Sequence, residues 1–365
     1  MNSFDVICIG AGPTGLACAI EAKRAGLRPV VIDKGCLCNS LYHYPTNMQF
    51  FTTAERMEIG DLPMTTASAK PTRPEALKYY RRAAEHYGIE TRLYQRVGSI
   101  DGHDGAFVVH TTDDEGRGHR YHGRKVIIAT GYYDLPNQLG VPGEDLPHVS
   151  HYFTDPHPYW EQDVVVIGAK NSAAEAALEL FRAGAHVTLV HRGPTVGEKL
   201  KYWVKPDIEN RIHAGEIKAL FNHRVTRFEP GLVYVLQCNS AASTEAGAFR
   251  PPKESGNDGA DYGAGNTEKA LPAAQAFALT GYHPDFTFLT EQGIELDPIS
   301  MRPKVNPDSL ETNVPGIHLA GVVVGGRNTS DIFIENGRFH GKEIVAALTG
   351  KGRINESAPV SPPGE

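Results

Sequence analysis

The chain has 365 residues, 41% of them apolar, with 36 Lys and Arg against 43 Asp and Glu for a formal charge of −7. That length supports two globular domains with cores of their own, and the acidic balance gives a nucleic-acid partner no electrostatic footing. A strand that opens within four residues of the start leaves no room for a signal peptide, no apolar run approaches the roughly 18 residues of a membrane span, and five cysteines, an odd number, make no disulfide framework, so a reducing cytoplasm is the expected compartment.

The first element is a strand, Asp5-Val6-Ile7-Cys8-Ile9, that runs into Gly10-Ala11-Gly12-Pro13-Thr14-Gly15 and a helix expected from Pro13 to Ala25. Gly10 and Gly12 let the backbone turn sharply and approach a pyrophosphate, while Gly15 lets the helix pack close on the strand. The helix N-terminus offers unpaired N–H groups and a positive dipole end to phosphate. A second strand ends in Val31-Ile32-Asp33-Lys34. Asp33 stands where a carboxylate accepts hydrogen bonds from both ribose hydroxyls of a dinucleotide.

A polar and aromatic stretch from Asn39 to Asp61 follows, then a helix around Arg73 to Tyr87 and β-rich segments through Val97–Ile100 and Ala106–Thr111. Lys125-Val126-Ile127-Ile128-Ala129-Thr130-Gly131 reads as a buried strand that closes the first domain, and Leu139–Glu144 reads as a linker.

Beyond the linker the first unit returns, displaced by 158 positions from Asp5 to Asp163: Asp163-Val164-Val165-Val166-Ile167-Gly168 repeats the strand and Arg182-Ala183-Gly184 repeats Arg24-Ala25-Gly26. Its turn, Gly168-Ala169-Lys170-Asn171-Ser172-Ala173, keeps only the first glycine and a small third residue. A helix is expected over Ser172–Ala183 and a strand over His186–Val190. Where the first copy has Asp33-Lys34, the second has His191-Arg192, with Lys199 and Lys201 close behind. A basic pair in that register binds a 2′-phosphate by charge-assisted hydrogen bonds, which selects NADPH over NADH. The alternative is a solvated basic loop. Residues 239–269, dominated by Gly, Ala, Ser, Asn, Pro and charges, cannot bury enough apolar surface to offset the cost of ordering and read as a disordered insertion, as does the tail at 353–365. Thr312–Gly321 and a helix near Ile332 to Leu348 return the chain to the first domain. The fold class is thus α/β, two Rossmann-like nucleotide-binding domains of three-layer ββα type. The first comprises 1–138 and 284–352, and the second, 139–283, is inserted in it.

Two such units with Ala129-Thr130-Gly131 and Leu319-Ala320-Gly321 resemble the thioredoxin reductase superfamily of FAD flavoproteins. More closely, Asn39-Ser40-Leu41-Tyr42, Phe50-Phe51, Glu58–Asp61, His148–Phe153, Lys170–Ala173, Thr280–Asp285 and Ile334-Glu335-Asn336-Gly337-Arg338-Phe339-His340-Gly341 resemble the bacillithiol disulfide reductase family, over nearly the whole chain outside the insertion and tail. The resemblance implies NADPH-dependent reduction of a low-molecular-weight thiol disulfide through FAD, in a homodimer or higher homo-oligomer. It implies FAD contacts at Gly10, Gly12, Pro13, Thr14, Gly15, Asp33, Lys34, Ser40, Gly131, Gly321 and Glu335, the last two near the flavin ring. For NADPH it implies Gly168, Lys170, Asn171, Ser172, Ala173, His191, Arg192 and Lys201.

Two departures stand out. Thioredoxin reductases carry a Cys-x-x-Cys ahead of the second glycine turn, and no cysteine occurs between Pro142 and Asp163. The closer family often has a cysteine after the proline of the first turn, and here that residue is Thr14, whose hydroxyl can hydrogen-bond but cannot form a mixed disulfide. Cys8 and Cys18 read as core residues, and Cys36-x-Cys38 falls near the adenosine end of a bound FAD. The histidines lack metal-ligand spacing, so no metal is expected, and His340 is the best placed to donate a proton to a leaving thiolate. Thr14 and His340 are therefore the catalytic candidates. Three classes remain: the disulfide reductase, an NADPH-dependent flavoprotein reductase of a protein electron carrier such as ferredoxin or flavodoxin, and a non-catalytic flavin redox sensor.

Overall fold

The computed structural model describes residues 3–238 and 268–350. The chain divides into two compact units, Met1–Leu135 with Tyr282–Glu365, and Pro136–Gly281. The linker reading puts the crossings a few residues later, at 138/139 and 283/284. The units part earlier because Asn137 and Thr280–Gly281 bond to one another: the Asn137 N–H donates to the Gly281 carbonyl at 2.9 Å and the Thr280 hydroxyl to the Asn137 carbonyl at 2.6 Å.

The first unit opens with β1 (Ser3–Ile9), α1 (Pro13–Arg24) and β2 (Pro29–Ile32). Then come a short helix α2 (Asn39–Tyr42), a 3-10 turn at Ala54–Met57, and α3 (Arg73–His86). Helix α3 starts where a capping box allows it: the Glu75 N–H donates to the Thr72 hydroxyl, and the Glu75 carboxylate accepts the Thr72 N–H at 2.8 Å. Strands β3 (Thr91–Arg92), β4 (Gln95–His103), β5 (Ala106–Asp113) and β6 (Gly118–Ile128) follow. In the sheet the order is β3-β2-β1-β6-β5-β4, parallel through β3, β2, β1 and β6 and antiparallel through β6, β5 and β4.

From Val6 onward the alternation of β1 sorts its side chains into two cores. Val6 and Cys8 join α1, α3 and Tyr80 on one face, while Phe4, Ile7 and Ile9 join Phe107, Val109 and Tyr121 of the antiparallel arm on the other. Helices, parallel sheet and antiparallel arm make the three layers.

The chain crosses through β7 (Leu135–Pro136) into the second unit. There β8 (Val149–Ser150), β9 (Asp163–Ile167), α4 (Asn171–Arg182), β10 (His186–His191), α5 (Val204–His213) and β11 (Lys218–Phe221) precede β12 (His223–Glu229), β13 (Leu232–Gln237), β14 (Lys269–Pro272) and β15 (Gln275–Ala278). A five-stranded parallel sheet runs β11-β10-β9-β15-β8, and β12-β13-β14 form an antiparallel sheet. The first unit's logic recurs: Val164 and Val166 face α4 and α5, while Val165 and Ile167 face Val225, Val233 and Val235 of the antiparallel sheet.

The return passes β16 (Tyr282–His283), α6 (Phe286–Glu291) and β17 (Ile317–Leu319), which pairs in parallel with the last residues of β6. The single helix expected near 332–348 is two, α7 (Ile334–Gly337) and α8 (His340–Thr349), broken at Arg338-Phe339. The Arg338 guanidinium donates to the Glu55 and Glu58 carbonyls at 2.8 and 2.7 Å, and that anchorage holds the break. Helix α4 starts and stops one residue before the expected 172–183. The insertion expected over 239–269 ends earlier: Lys269 pairs with Val235, and the Glu268 carboxylate holds Thr226 and Arg227. Its remaining residues, 239–267, and the tail at 353–365 lie outside the described residues.

Candidate functional site at the two glycine turns

At the first turn, Gly10 has φ +109°, and a Cβ there would stand 2.4 Å from the Ala129 carbonyl oxygen. A Cβ on Gly15 would stand 1.9 Å from the Gly10 oxygen. These two glycines are required by the packing of the chain on itself. Gly12 differs: nothing lies within 4 Å of where its Cβ would be, and it caps α1 with no side-chain hydrogen bond. Open space beside an uncapped helix start suits a phosphate group. The Asp33 carboxylate takes the Ala11 N–H at 2.6 Å and the Gly35 N–H at 2.9 Å. Burial raises its pKa, and those two amide donors oppose the rise.

Thr14, Gly321, Gly337 and His340 come together at the start of α1. A Cβ on Gly321 (φ +79°) would fall 3.1 Å from Thr14 Oγ1, and one on Gly337 would fall 3.1 Å from the same oxygen and 3.3 Å from the Gly321 Cα. Thr14 is thus wedged between two glycines, from the turn after β17 and from α7. The Gly321 N–H donates to His340 Nδ1 at 3.0 Å. That bond leaves the proton of the neutral ring on Nε2. Burial lowers the His340 pKa to about 4, so the ring is neutral at neutral pH. His340, expected to donate a proton to a leaving thiolate, thus holds the Gly321 backbone through Nδ1 and has the Nε2–H as the proton it could offer. Gly337 lies within the Ile334–Gly341 motif, where nothing in the sequence sets it apart as a site residue. Only its distance to Thr14, across more than 300 residues, reveals it.

Other first-unit positions scatter around this centre. Glu335 pairs with Arg56 at 3.6 Å through Oε2, while its Oε1 is buried without a hydrogen-bond partner. Lys34 pairs with Asp134 at 2.8 Å. Ser40 lies on α2, and Gly131 (φ +74°) opens onto space with nothing within 4 Å. Around Gly131 the sequence reading missed an aromatic cluster: Tyr133 meets Tyr44 and Tyr282 with centroids 4.7 and 4.5 Å apart. The signal was there in Tyr132-Tyr133 directly after the glycine. Cys36 and Cys38 are free thiols, and burial together with the Asp33 carboxylate raises the pKa of both. Protonated thiols in that setting are poor nucleophiles. Among the described residues no His, Cys, Asp and Glu cluster could hold a metal ion.

At the second turn Gly168 (φ +127°) is required for the same reason as Gly10, since its Cβ would meet the Leu279 carbonyl oxygen at 2.5 Å. Lys170 caps α4 without a side-chain hydrogen bond, Ser172 is exposed and Ala173 is buried beneath the turn. The basic loop lies back on this turn: the Gly197 N–H donates to the Ala169 carbonyl at 2.9 Å, and the Lys201 N–H to Asn171 Oδ1 at 2.9 Å. His191, at the end of β10, has its pKa lowered by burial and then by Arg192 and Lys170. Two expectations change. His191 offers a neutral ring and not half of a cationic pair, and the Lys201 ammonium is held by Glu175 at 2.5 Å. The exposed positive charge at this turn comes from Arg192, Lys170 and Lys199.

No helix among the described residues is long and apolar enough to cross a membrane. The family model for pyridine nucleotide-disulphide oxidoreductases matches residues 7–247 and 255–321. Bacilliredoxin reductase Bdr of Bacillus subtilis is 40% identical over 349 residues, covering 95% of this chain and 98% of that protein. The bacillithiol disulfide reductase Bdr (YpdA) structures from Bacillus cereus and Staphylococcus aureus superpose with TM-scores of 0.85 and 0.84 at 38% and 36% identity. They cover 96% and 97% of this chain and 99% and 100% of theirs. The resemblance read from the motifs is therefore borne out, as are the thioredoxin reductase-like α/β fold and the assignment as an oxidoreductase. The chain belongs to the pyridine nucleotide-disulphide oxidoreductase family, on its bacillithiol disulfide reductase branch.

Proposed function

We propose that the chain is an FAD-dependent, NADPH-linked reductase of a low-molecular-weight thiol disulfide of the bacillithiol type, working in the cytoplasm as a homo-oligomer. The whole-length 40% identity to bacilliredoxin reductase carries this reading. FAD would supply a two-electron relay between a pyridine nucleotide and a disulfide. The residues at the first turn fit it: Gly10, Gly12, Pro13 and Gly15 leave a cradle that a Cβ at position 12 would fill, and the start of α1 favours a pyrophosphate. Asp33, with Lys34 and Ser40 near it in sequence, would face the adenosine end, and Gly131, Gly321 and Glu335 the flavin end. The open space at Gly131 and the unpartnered Glu335 Oε1 support that placement.

In the second unit Gly168, Lys170, Asn171, Ser172 and Ala173 would take the NADPH pyrophosphate at the start of α4. Arg192 would take the 2′-phosphate as a charge-assisted donor with the His191 ring beside it.

Thr14 would position the site without reacting. Its hydroxyl finds no hydrogen-bond partner among the described residues and remains available to a bound group. That same residue favours a second reading, reduction of a protein electron carrier, because such a reaction needs no cysteine beside the flavin. Purified protein assayed with NADPH against bacillithiol disulfide, ferredoxin and flavodoxin separates the two. Turnover with the disulfide alone supports the reductase; turnover only with a carrier protein overturns it.

A further inference from the structure

The segment between β10 and α5 carries an aromatic pair that the roles above leave unused. Tyr202 is 78% exposed and Trp203 38% exposed, and their rings meet edge to face with centroids 4.7 Å apart and planes at 85°. Two hydrogen bonds seat this segment on the second glycine turn, the Gly197 N–H donating to the Ala169 carbonyl and the Lys201 N–H to the Asn171 side-chain oxygen, each at 2.9 Å. The Lys201 ammonium is drawn to Glu175 on α4 and stands 5.6 Å from the centroid of the Trp203 ring. The pair is thus fixed one and two residues past an anchor at the start of α4. Lys170, the cap of that helix, is also a charged neighbour of His191. One turn therefore gathers two exposed aromatic rings and the Lys170, His191 and Arg192 group.

Large exposed aromatics clustered on a polar loop mark a binding surface, and aromatic faces stack on nucleobases whatever the base. An edge-to-face pair makes a corner, one ring offering a face and the other a side wall. We propose that the Tyr202–Trp203 corner receives the adenine ring of the pyridine dinucleotide, next to the cations that would read its 2′-phosphate. Charge complementarity selects this occupant: adenosine 2′-phosphate joins a flat π-face to an anion, and the exposed Lys170, Arg192 and Lys199 answer the anion. The inference rests on the NADPH reading above and extends it to two residues outside the glycine motif and the basic pair.

The chain has two tryptophans, so Trp160→Phe leaves Trp203 as its one indole reporter. Flavin-loaded Trp160→Phe enzyme is titrated with adenosine 2′,5′-bisphosphate and, separately, with nicotinamide mononucleotide. Saturable quenching of Trp203 is expected from the first probe and none from the second. Trp203→Ala and Tyr202→Ala, each in the otherwise wild-type enzyme and followed by calorimetry, should raise the Kd for the bisphosphate roughly 5- to 100-fold, the range of a lost base stack. Trp203→Phe should restore most of the affinity. Tyr202 projects into solvent, so Tyr202→Ala keeps the test open should Trp203→Ala fail to fold. Variants that bind the bisphosphate as tightly as wild type overturn the stacking role and leave the NADPH reading standing. A wild-type enzyme that binds no bisphosphate overturns both. Variants whose oligomeric state changes while Kd stays constant show the pair to be an interface between copies, which also overturns the inference.

Discussion

Acid should weaken this fold through one imidazole. The unfolded chain titrates His340 near the ordinary value of 6.5, whereas burial in the folded protein lowers it to about 4. Between those values the unfolded state binds a proton that the folded state refuses, so stability rises with pH across the window and is lost as pH falls from 6.5 toward 4. Above 6.5 both states are neutral at this site and it contributes no slope. The full gap corresponds to roughly 3 kcal/mol. His340→Asn keeps an acceptor for the Gly321 N–H while removing the titrating ring. Urea unfolding in excess FAD, run at intervals from pH 7.5 to 4.5 on wild type and variant, isolates the effect, because the other depressed histidines, His191 and His318, are common to both. The stability difference should drift by about 2.5 kcal/mol in the variant's favour by pH 4.5. A difference that stays flat across the series would refute the reasoning and mean that the folded ring titrates normally.

Gly12→Val should fold, because its Cβ meets nothing in the chain, yet lose its visible flavin absorbance as the branch enters the pyrophosphate cradle. Gly15→Ala should behave in the opposite way, destabilising the fold by about 1–3 kcal/mol in urea unfolding, because its Cβ would stand 1.9 Å from the Gly10 oxygen. Arg192→Ala should raise the KM for NADPH roughly 10- to 100-fold and leave NADH nearly unchanged in steady-state flavin reduction; an equal loss for both coenzymes would show that it does not read the 2′-phosphate. A Cys36→Ser/Cys38→Ser double variant should keep its turnover per flavin-loaded molecule, since both thiols are held protonated, and complete loss of disulfide reduction with intact flavin bleaching by NADPH would make that pair the relay.

What could be read from the sequence was what depends on local backbone. The repeat from Asp5 to Asp163 located both turns, and the need for glycine at 10, 15 and 168 follows from how strand, turn and helix must cross. Partner choice is not local. Lys201 looked like a free cation in a basic loop, yet Glu175, one turn into α4, captures its ammonium. His340 was legible as a residue of the returning helix, but the burial that lowers its pKa to about 4 was not. The break between α7 and α8 carried no proline and depends on Arg338 reaching carbonyls at 55 and 58. The wedge of Thr14 between Gly321 and Gly337 is likewise a tertiary fact.

The peptide units on either side of Ala11 have a consequence for affinity. The Ala11 N–H is held by Asp33 and its carbonyl accepts the Cys38 N–H at 3.0 Å, while the Gly10 N–H donates to the Ile32 carbonyl at 2.7 Å. The loop that must wrap a dinucleotide is therefore already pinned at both edges before any ligand arrives. A preorganised loop surrenders little freedom on binding, so more of each contact is retained as affinity. The same carboxylate that would face a ribose is one of the pins, so Asp33→Ala would loosen the cradle as well as remove a ligand contact. Its effect on dinucleotide affinity should exceed what two ribose hydrogen bonds are worth.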